Sequence, residues 1–254
     1  MSATFPDLSG APVLVTGGGS GIGAALVEGF ARQRARVAVL DVIDAAPFAA
    51  EVASRTGAEV LFLRCDVTDT AALGAAMGEA EAAHGPLRVL VSGAADDTRM
   101  AALEVTEAQW DQSLALNLKA YFFAAQHAAR GMARSGGGTV VNFTSLSYMI
   151  GFAGLAPYVA ANAGITGLTR ALAREWGPLG VRVNAVAPGW VMTERQRRLW
   201  VTEEALAGFV ARQCIPRPVE PEDIVGPVLF LASEASAMVA GQVLVVDGGI
   251  AATG

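Results

Sequence analysis

The chain is short of lysine: of its 18 basic residues only Lys119 is a lysine, and the rest are arginines. Charge of either sign is sparse, at 17% of residues, with a net charge of −6 and no block of like charges. That excludes the basic face of a nucleic-acid binder or of a protein held on an anionic membrane. Cysteine is limited to Cys65 and Cys214, which have no metal-ligand spacing. A disulfide framework and a cysteine metal site are excluded, and the pair is expected to stay reduced in a cytoplasmic protein. No apolar run reaches the ~18 residues of a membrane span. The opening Met1-Ser-Ala-Thr-Phe-Pro-Asp7 has neither a basic nor an apolar signal region, so no secretion signal is expected.

What the chain has is apolar alternation. Its 254 residues are 53% hydrophobic with mean hydropathy +0.43. The length suits one domain over 1–254, and the apolar excess points to a subunit interface. Strand-like runs fall at Pro12–Thr16, Arg36–Leu40, Glu59–Leu63, Leu87–Val91, Thr139–Phe143, Val181–Val186 and Gln242–Val246, with helical runs between them. The first helix is expected from about Gly21 to Arg34. Strands this apolar predict a seven-stranded parallel sheet covered by helices on both faces. This is an α/β, doubly wound, Rossmann-type fold with ligands at the carboxyl ends of the strands. The Arg-rich stretch from Trp190 to Pro218 reads as the least regular part and as a lid.

Thr16-Gly17-Gly18-Gly19-Ser20-Gly21-Ile22-Gly23 joins the first strand to the first helix. Glycines let the backbone close on a pyrophosphate, and the helix start offers free N–H groups and a positive dipole end. Asp41 follows at the end of the second strand. A carboxylate there accepts from ribose hydroxyls and repels a 2′-phosphate. With no Arg or Lys in the turn, the expected cofactor is NAD.

Ser145, Tyr158 and the position four residues after that Tyr match the catalytic Ser, Tyr and Lys of the short-chain dehydrogenase/reductase family, except that Asn162 replaces the Lys. The chain resembles that family over nearly its whole length. The resemblance implies that Tyr158 is the acid/base, Ser145 orients the substrate oxygen and Asn117 anchors a proton-relay water. It also implies that Asp66 and Val67 contact adenine, and that Pro188, Gly189, Val191 and Thr193 serve the nicotinamide. At the fourth strand end, Ser92-Gly93-Ala94-Ala95 stands where the family has Asn-Asn-Ala-Gly, which leaves Ser92 and Ala94 as the cofactor floor. Asn162 keeps hydrogen-bonding capacity toward ribose but supplies no charge. Lys119, two residues beyond Asn117, is expected to face away from the site.

The nearest likeness is to the bacterial sugar-oxidising branch, such as D-xylose 1-dehydrogenases, through Asp96-Asp97-Thr98-Arg99, the run from Pro188 to Trp200, and Ala211-Arg212-Gln213-Cys214. It implies oxidation of a secondary or anomeric hydroxyl on an aldose or small polyol. Asp97, Arg99, Ser147, Trp190 and Gln196 are the candidate sugar contacts, and no metal is expected. A hydroxyacid or an apolar alcohol stays open, the latter because of Met149, Ile150, Phe152 and Met192. Two other readings stand beside an enzyme: an NAD-binding homologue whose catalysis is impaired by Asn162, and a module that only assembles an oligomer. Residues 105–133 and 158–176 resemble the family's tetramer-forming helices, so a homotetramer is expected.

Overall fold

The computed structural model describes residues 3–253. Among them, seven parallel strands form one sheet in the order β3-β2-β1-β4-β5-β6-β7. The strands are β1 (Pro12–Thr16), β2 (Arg36–Asp41), β3 (Val60–Arg64), β4 (Val89–Ser92), β5 (Gly138–Phe143), β6 (Val181–Pro188) and β7 (Val243–Val246). The order reverses between β1 and β4, which opens a crevice at their carboxyl ends. The register sets Thr16 beside both Leu40 and Ser92.

Side-chain alternation divides β1 between two cores. Val13 and Val15 join Val37, Val39 and Val141 under α1 (Gly21–Arg32) and a later helix, Pro221–Ala232. Leu14 joins Ala38, Leu40 and Leu90 on the other face. That face is covered by α3 (Thr70–His84, following α2 at Ala46–Thr56), α5 (Ala120–Arg134, following α4 at Glu107–Leu114) and α7 (Ala156–Trp176, following the short α6 at Ser147–Ile150). The strands are therefore apolar on both sides because both sides are buried.

Several boundaries differ from the sequence reading. Helix α1 stops at Arg32, because Arg34 turns into the left-handed region with φ 63° and the following chain enters β2. β3 begins one residue late and β4 two. The stretch from Trp190 to Pro218 is more ordered than expected. It holds α8 (Glu194–Leu199) and α9 (Glu203–Val210), whose starts are capped by Thr193 and Thr202, accepting from Gln196 N (3.2 Å) and Ala205 N (3.1 Å). The helix Pro221–Ala232 is α10, and its N-terminus carries a reciprocal Glu220/Asp223 cap. No helix among the described residues is long and apolar enough to cross a membrane.

Candidate active site

The β1–α1 loop is built for close backbone approach. A Cβ on Gly23 would stand 1.9 Å from the Gly17 carbonyl oxygen, and one on Gly17 would stand 2.7 Å from the Ala94 Cα. Gly17 and Gly21 take φ of 70° and 53°. Ser20 precedes α1 in extended backbone with no side-chain cap, so the first-turn N–H groups face outward without an internal acceptor. Thr16 Oγ1 accepts from Gly93 N (3.1 Å) and Ala94 N (3.3 Å), which pins the loop after β4 beside the glycines. Asp41 Oδ2 accepts from Gly19 N at 2.8 Å, and this holds the carboxylate against the turn. Asp66 is exposed and accepts from Thr68 N and Oγ1 (2.9 and 2.7 Å). Val67 and Ser92 are buried, and lie together with Thr16, Ala94, Ala120 and Ala124. A backbone cradle that a Cβ would fill, ending at an uncapped twelve-residue helix, fits a dinucleotide pyrophosphate.

Beyond this loop lies a cavity of about 440 Å³. It gathers Ile22, Asn117, Ser145, Tyr158, Asn162, Pro188, Gly189, Val191 and Thr193 with Asp97, Arg99, Ser147, Trp190 and Gln196. Gly17, Ser20, Gly21, Gly23, Asp41, Asp66, Val67, Ser92 and Ala94 stay outside its lining.

Tyr158 stands in the first turn of α7, and its phenol shares the cavity with the Ser145 and Asn162 side chains. Burial, then the charge of Asp97, push that phenol up to about 12, against the lowering effect of the Ser145 and Asn162 side chains and with Asp96 adding to the rise. Asn162 is 3% exposed, and its Nδ2 donates to the Tyr158 carbonyl at 2.8 Å. Part of the amide that sequence reasoning assigned to ribose is thus turned back on its own helix. Thr144 Oγ1 donates to the Asn162 carbonyl at 2.9 Å and ties α7 to the end of β5.

Asn117 sits in a π-turn, Ala115–Lys119, between α4 and α5. The wider turn aims it inward, and its amide clamps the Asp96 backbone: Asp96 N donates to Oδ1 (2.9 Å) and Nδ2 donates to Asp96 O (3.1 Å). Lys119 is exposed and outside the cavity lining.

The far wall is a polar net. Trp190 Nε1 donates to Gln196 Oε1 (2.9 Å), and Gln196 Nε2 donates to Asp97 Oδ2 (2.6 Å). Arg195 reaches Asp97 with one guanidinium nitrogen and Asp96 with another, the latter at 2.6 Å. Arg99 is stacked between Phe152 and Trp200, 5.5 and 4.4 Å from their ring centres. Ser147 Oγ and Trp200 Nε1 line the cavity, buried and without a hydrogen-bond partner among the described residues. Thr193 uses one oxygen lone pair as the α8 cap, so its hydroxyl proton stays available.

Sequence reasoning missed Tyr121, Trp200, Phe209 and Arg212, which share the cavity. The Tyr121 phenol is buried, and burial followed by neighbouring Tyr158 pushes it far above the ordinary range. Phe209 meets Trp190 edge to face at 5.4 Å. Only the helical spacing of α9 could have suggested Phe209; nothing in the sequence marks Tyr121. Among the described residues no cluster of three His, Cys, Asp or Glu could hold a metal. Cys65 is buried and Cys214 exposed, with no disulfide between them.

A doubly wound sheet, a glycine cradle at its switch point and a Ser–Tyr pair facing the same crevice define a dinucleotide-dependent dehydrogenase. A family model described as enoyl-(acyl carrier protein) reductase matches residues 17–251. "Probable galactose dehydrogenase GalD" of Rhizobium meliloti (strain 1021) is 49% identical over 251 residues, covering 98% of both chains. D-xylose 1-dehydrogenase of Caulobacter vibrioides is 43% identical over 250 residues, again covering 98% of each. A crystal structure from Sinorhizobium meliloti 1021 superimposes with a TM-score of 0.93 at 35% identity, covering 98% of this chain and 99% of that one. The chain belongs to the short-chain dehydrogenase/reductase family and is an oxidoreductase.

Proposed function

We propose that the protein oxidises a secondary or anomeric hydroxyl of an aldose or small polyol, with NAD as the hydride acceptor and Tyr158 as the general base. The observation that carries this reading is the cavity shared by Ser145, Tyr158 and Asn162, beside a helix start whose glycine cradle fits a pyrophosphate. The names of the galactose and D-xylose relatives support the substrate class. Bound nicotinamide would supply the hydride acceptor. Gly17, Ser20, Gly21, Ile22 and Gly23 would hold the pyrophosphate, and Asp66 and Val67 the adenine. Ser92 and Ala94 would form the floor, and Pro188, Gly189, Val191 and Thr193 the nicotinamide side.

Asp41 favours NAD, because its carboxylate is fixed by Gly19 N–H at the turn and would oppose a 2′-phosphate. Ser145 would donate to the substrate oxygen while Tyr158 takes its proton, and Asn117 would keep the Asp96 loop in place. Asp97, Ser147, Trp190, Gln196 and Arg99 would meet the remaining hydroxyls, with the segment 190–218 closing over them as a lid. A homotetramer through α4, α5 and α7 is supported by exposed Trp110 and Phe123, and a cytoplasmic location by the low cysteine content.

A second reading is favoured by one observation: the phenol pushed up to about 12 with no lysine beside it. It is a homologue that binds NAD and turns over weakly or not at all. Nicotinamide reduction across a panel of aldoses and polyols at pH 10, with NAD and NADP in parallel, tests both. NAD-dependent turnover of an aldose is the expected result. NAD binding without turnover on any substrate selects the second reading.

A further inference from the structure

We propose that the cavity holds a carboxylate subsite, centred on Arg99 and edged by Trp200 and Ser147, so that the substrate is a sugar acid. The inference rests on the proposed oxidation and sharpens it: one of the groups remote from the oxidised carbon is a carboxylate.

Three segments of the chain meet to hold Arg99. It lies in the loop after β4, Phe152 follows α6, and Trp200 ends α8; all three line the cavity. The guanidinium stands 5.5 Å from the Phe152 ring centre and 4.4 Å from that of Trp200. Backbone bonds fix the surroundings. Met100 N donates to Gly154 O at 2.8 Å, Phe152 N to Ser147 O at 3.1 Å, and Trp200 N to Gln196 O at 2.9 Å. Stacking covers the faces of a guanidinium and leaves its N–H groups at the edge, in a fork already oriented. Among the described residues those N–H groups meet no acceptor, and Arg99 pairs with no carboxylate.

Hydrogen bonding along this wall is one-sided. Its side-chain acceptors are engaged: Asp97 Oδ1 by Arg195, Asp97 Oδ2 by Gln196 Nε2 at 2.6 Å, and Gln196 Oε1 by Trp190 Nε1 at 2.9 Å. Its donors are not. Trp200 Nε1 and Ser147 Oγ are buried and have no hydrogen-bond partner among the described residues. Arg212, just beyond α9, brings a second guanidinium to the cavity, exposed and without an ion pair among those residues. An indole N–H and a guanidinium can only donate. A sugar hydroxyl that accepts from them carries a proton of its own, and the acceptors of this wall are already in use. A carboxylate brings two oxygens, no proton and a compensating charge, and its two oxygens match the guanidinium fork. The charges agree: Asp97 is matched by Arg195, which leaves Arg99 and Arg212 as cations facing the cavity without a counter-charge.

The experiment sets matched substrates against each other: D-galacturonate against D-galactose, D-glucuronate against D-glucose, and D-gluconate against D-glucitol, with D-galactose 6-phosphate as a different anion. Reduction of NAD is the readout. In at least one pair the acid is expected to have the higher kcat/KM, by about 10- to 100-fold, the usual worth of a hydrogen bond to a charged group. Arg99→Gln is expected to cut kcat/KM for that acid by about the same factor, mainly through KM, and for its neutral partner by a smaller one. Arg99→Lys keeps the charge without the fork and should restore part of the loss. Trp200→Phe keeps the ring, removes the N–H, and should weaken the acid by ~5-fold. Preference for the neutral partner in every pair, or equal losses on acid and neutral in Arg99→Gln, overturns the proposal. Preference for the phosphate over every carboxylate overturns it too. If nothing turns over, the proposed oxidation fails, and calorimetric titration of the three acids into the protein with NAD decides the subsite separately. Binding that Arg99→Gln weakens supports the subsite; no binding refutes it. Should Arg99→Gln not fold, Trp200→Phe carries the test: an unchanged ratio of acid to neutral kcat/KM refutes the proposal.

Discussion

Replacing Asn162 by lysine is the sharpest perturbation of this site. The side chain lies one helical turn after Tyr158, is 3% exposed, and opens on the cavity that holds the phenol. An ammonium ~6.5 Å from the phenolate, at an effective dielectric of ~20, is worth about 2.5 kcal/mol, or roughly two pKa units. The starting value for Tyr158 is about 12. Below that pH the phenolate fraction would rise by about 80-fold from the charge alone. Against this, the Asn162 amide is lost, with its bond to the Tyr158 carbonyl and its lowering effect on the phenol. At about 1 kcal/mol for that effect, the gain falls to ~15-fold at its lower limit. Asn162→Lys is therefore expected to speed aldose oxidation by about 15- to 80-fold at pH 8 and to lower the pH optimum by one to two units. Asn162→Met separates charge from packing and should lower the rate. The assay is nicotinamide reduction from pH 6 to 11, with NAD affinity measured separately. A lysine variant that binds NAD normally and keeps the wild-type pH profile would refute the reasoning, because ionisation of Tyr158 would then not limit the rate.

Three further outcomes follow from other parts of the molecule. Gly23→Ala places a Cβ where the Gly17 carbonyl oxygen stands 1.9 Å away, so the loop must shift; NAD binding should weaken by about 100-fold and stability fall by ~1–3 kcal/mol, seen in a fluorescence titration and a melt. Asp41→Ser removes the charge held at Gly19 N–H; NAD should bind about tenfold more weakly and the discrimination against NADP should relax, read from the ratio of kcat/KM values. The Arg217 guanidinium beside Asp223 holds its carboxyl below the usual range despite partial burial. A folded-state pKa below the unfolded one means stability that is present above the unfolded value and lost as pH falls through the folded one. Asp223→Asn should therefore lower the urea midpoint at pH 7, and its curve should converge with wild type in acid; equal midpoints at pH 7 would show the pair to be inert.

The strands were legible because their apolar runs are continuous, and continuity is what burial on both faces demands: Val13 and Leu14 enter different cores and both must be apolar. The glycine loop was legible because Gly23 has no room for a side chain. The end of α1 was not, since the left-handed turn falls on Arg34, a residue with no signature for it. The two helices α8 and α9 could have been read from Thr193 and Thr202, each a hydroxyl placed three residues before the N–H it caps. Read from sequence, the stretch shows no regular pattern because its arginines obscure a helical face. Ser145, Tyr158 and Asn162 share one cavity as their spacing implied. The ion pair between Arg195 and Asp97 spans 98 residues of sequence, and no local pattern encodes a contact of that range. The same holds for the inward turn of Asn117, which depends on one π-turn whose extra residue leaves the composition unchanged.

A lysine after Tyr158 would act by attraction, placing positive charge beside the phenolate. Nothing among the described residues restores that attraction. Lys119 lies two residues along the π-turn from buried Asn117 and is exposed. Arg99 is committed to two aromatic rings. What the site retains is the lowering effect of the neutral Ser145 and Asn162 side chains on the phenol, against burial and the charge of Asp97. Neutral partners can return a buried phenol toward its ordinary value of about 10, but they supply no positive charge to carry it below. At neutral pH such a phenol is mostly protonated and still ionises in a small fraction of molecules. With Tyr158 as the proposed base, the expected outcome is a rate that climbs with pH, checked by nicotinamide reduction from pH 6 to 11.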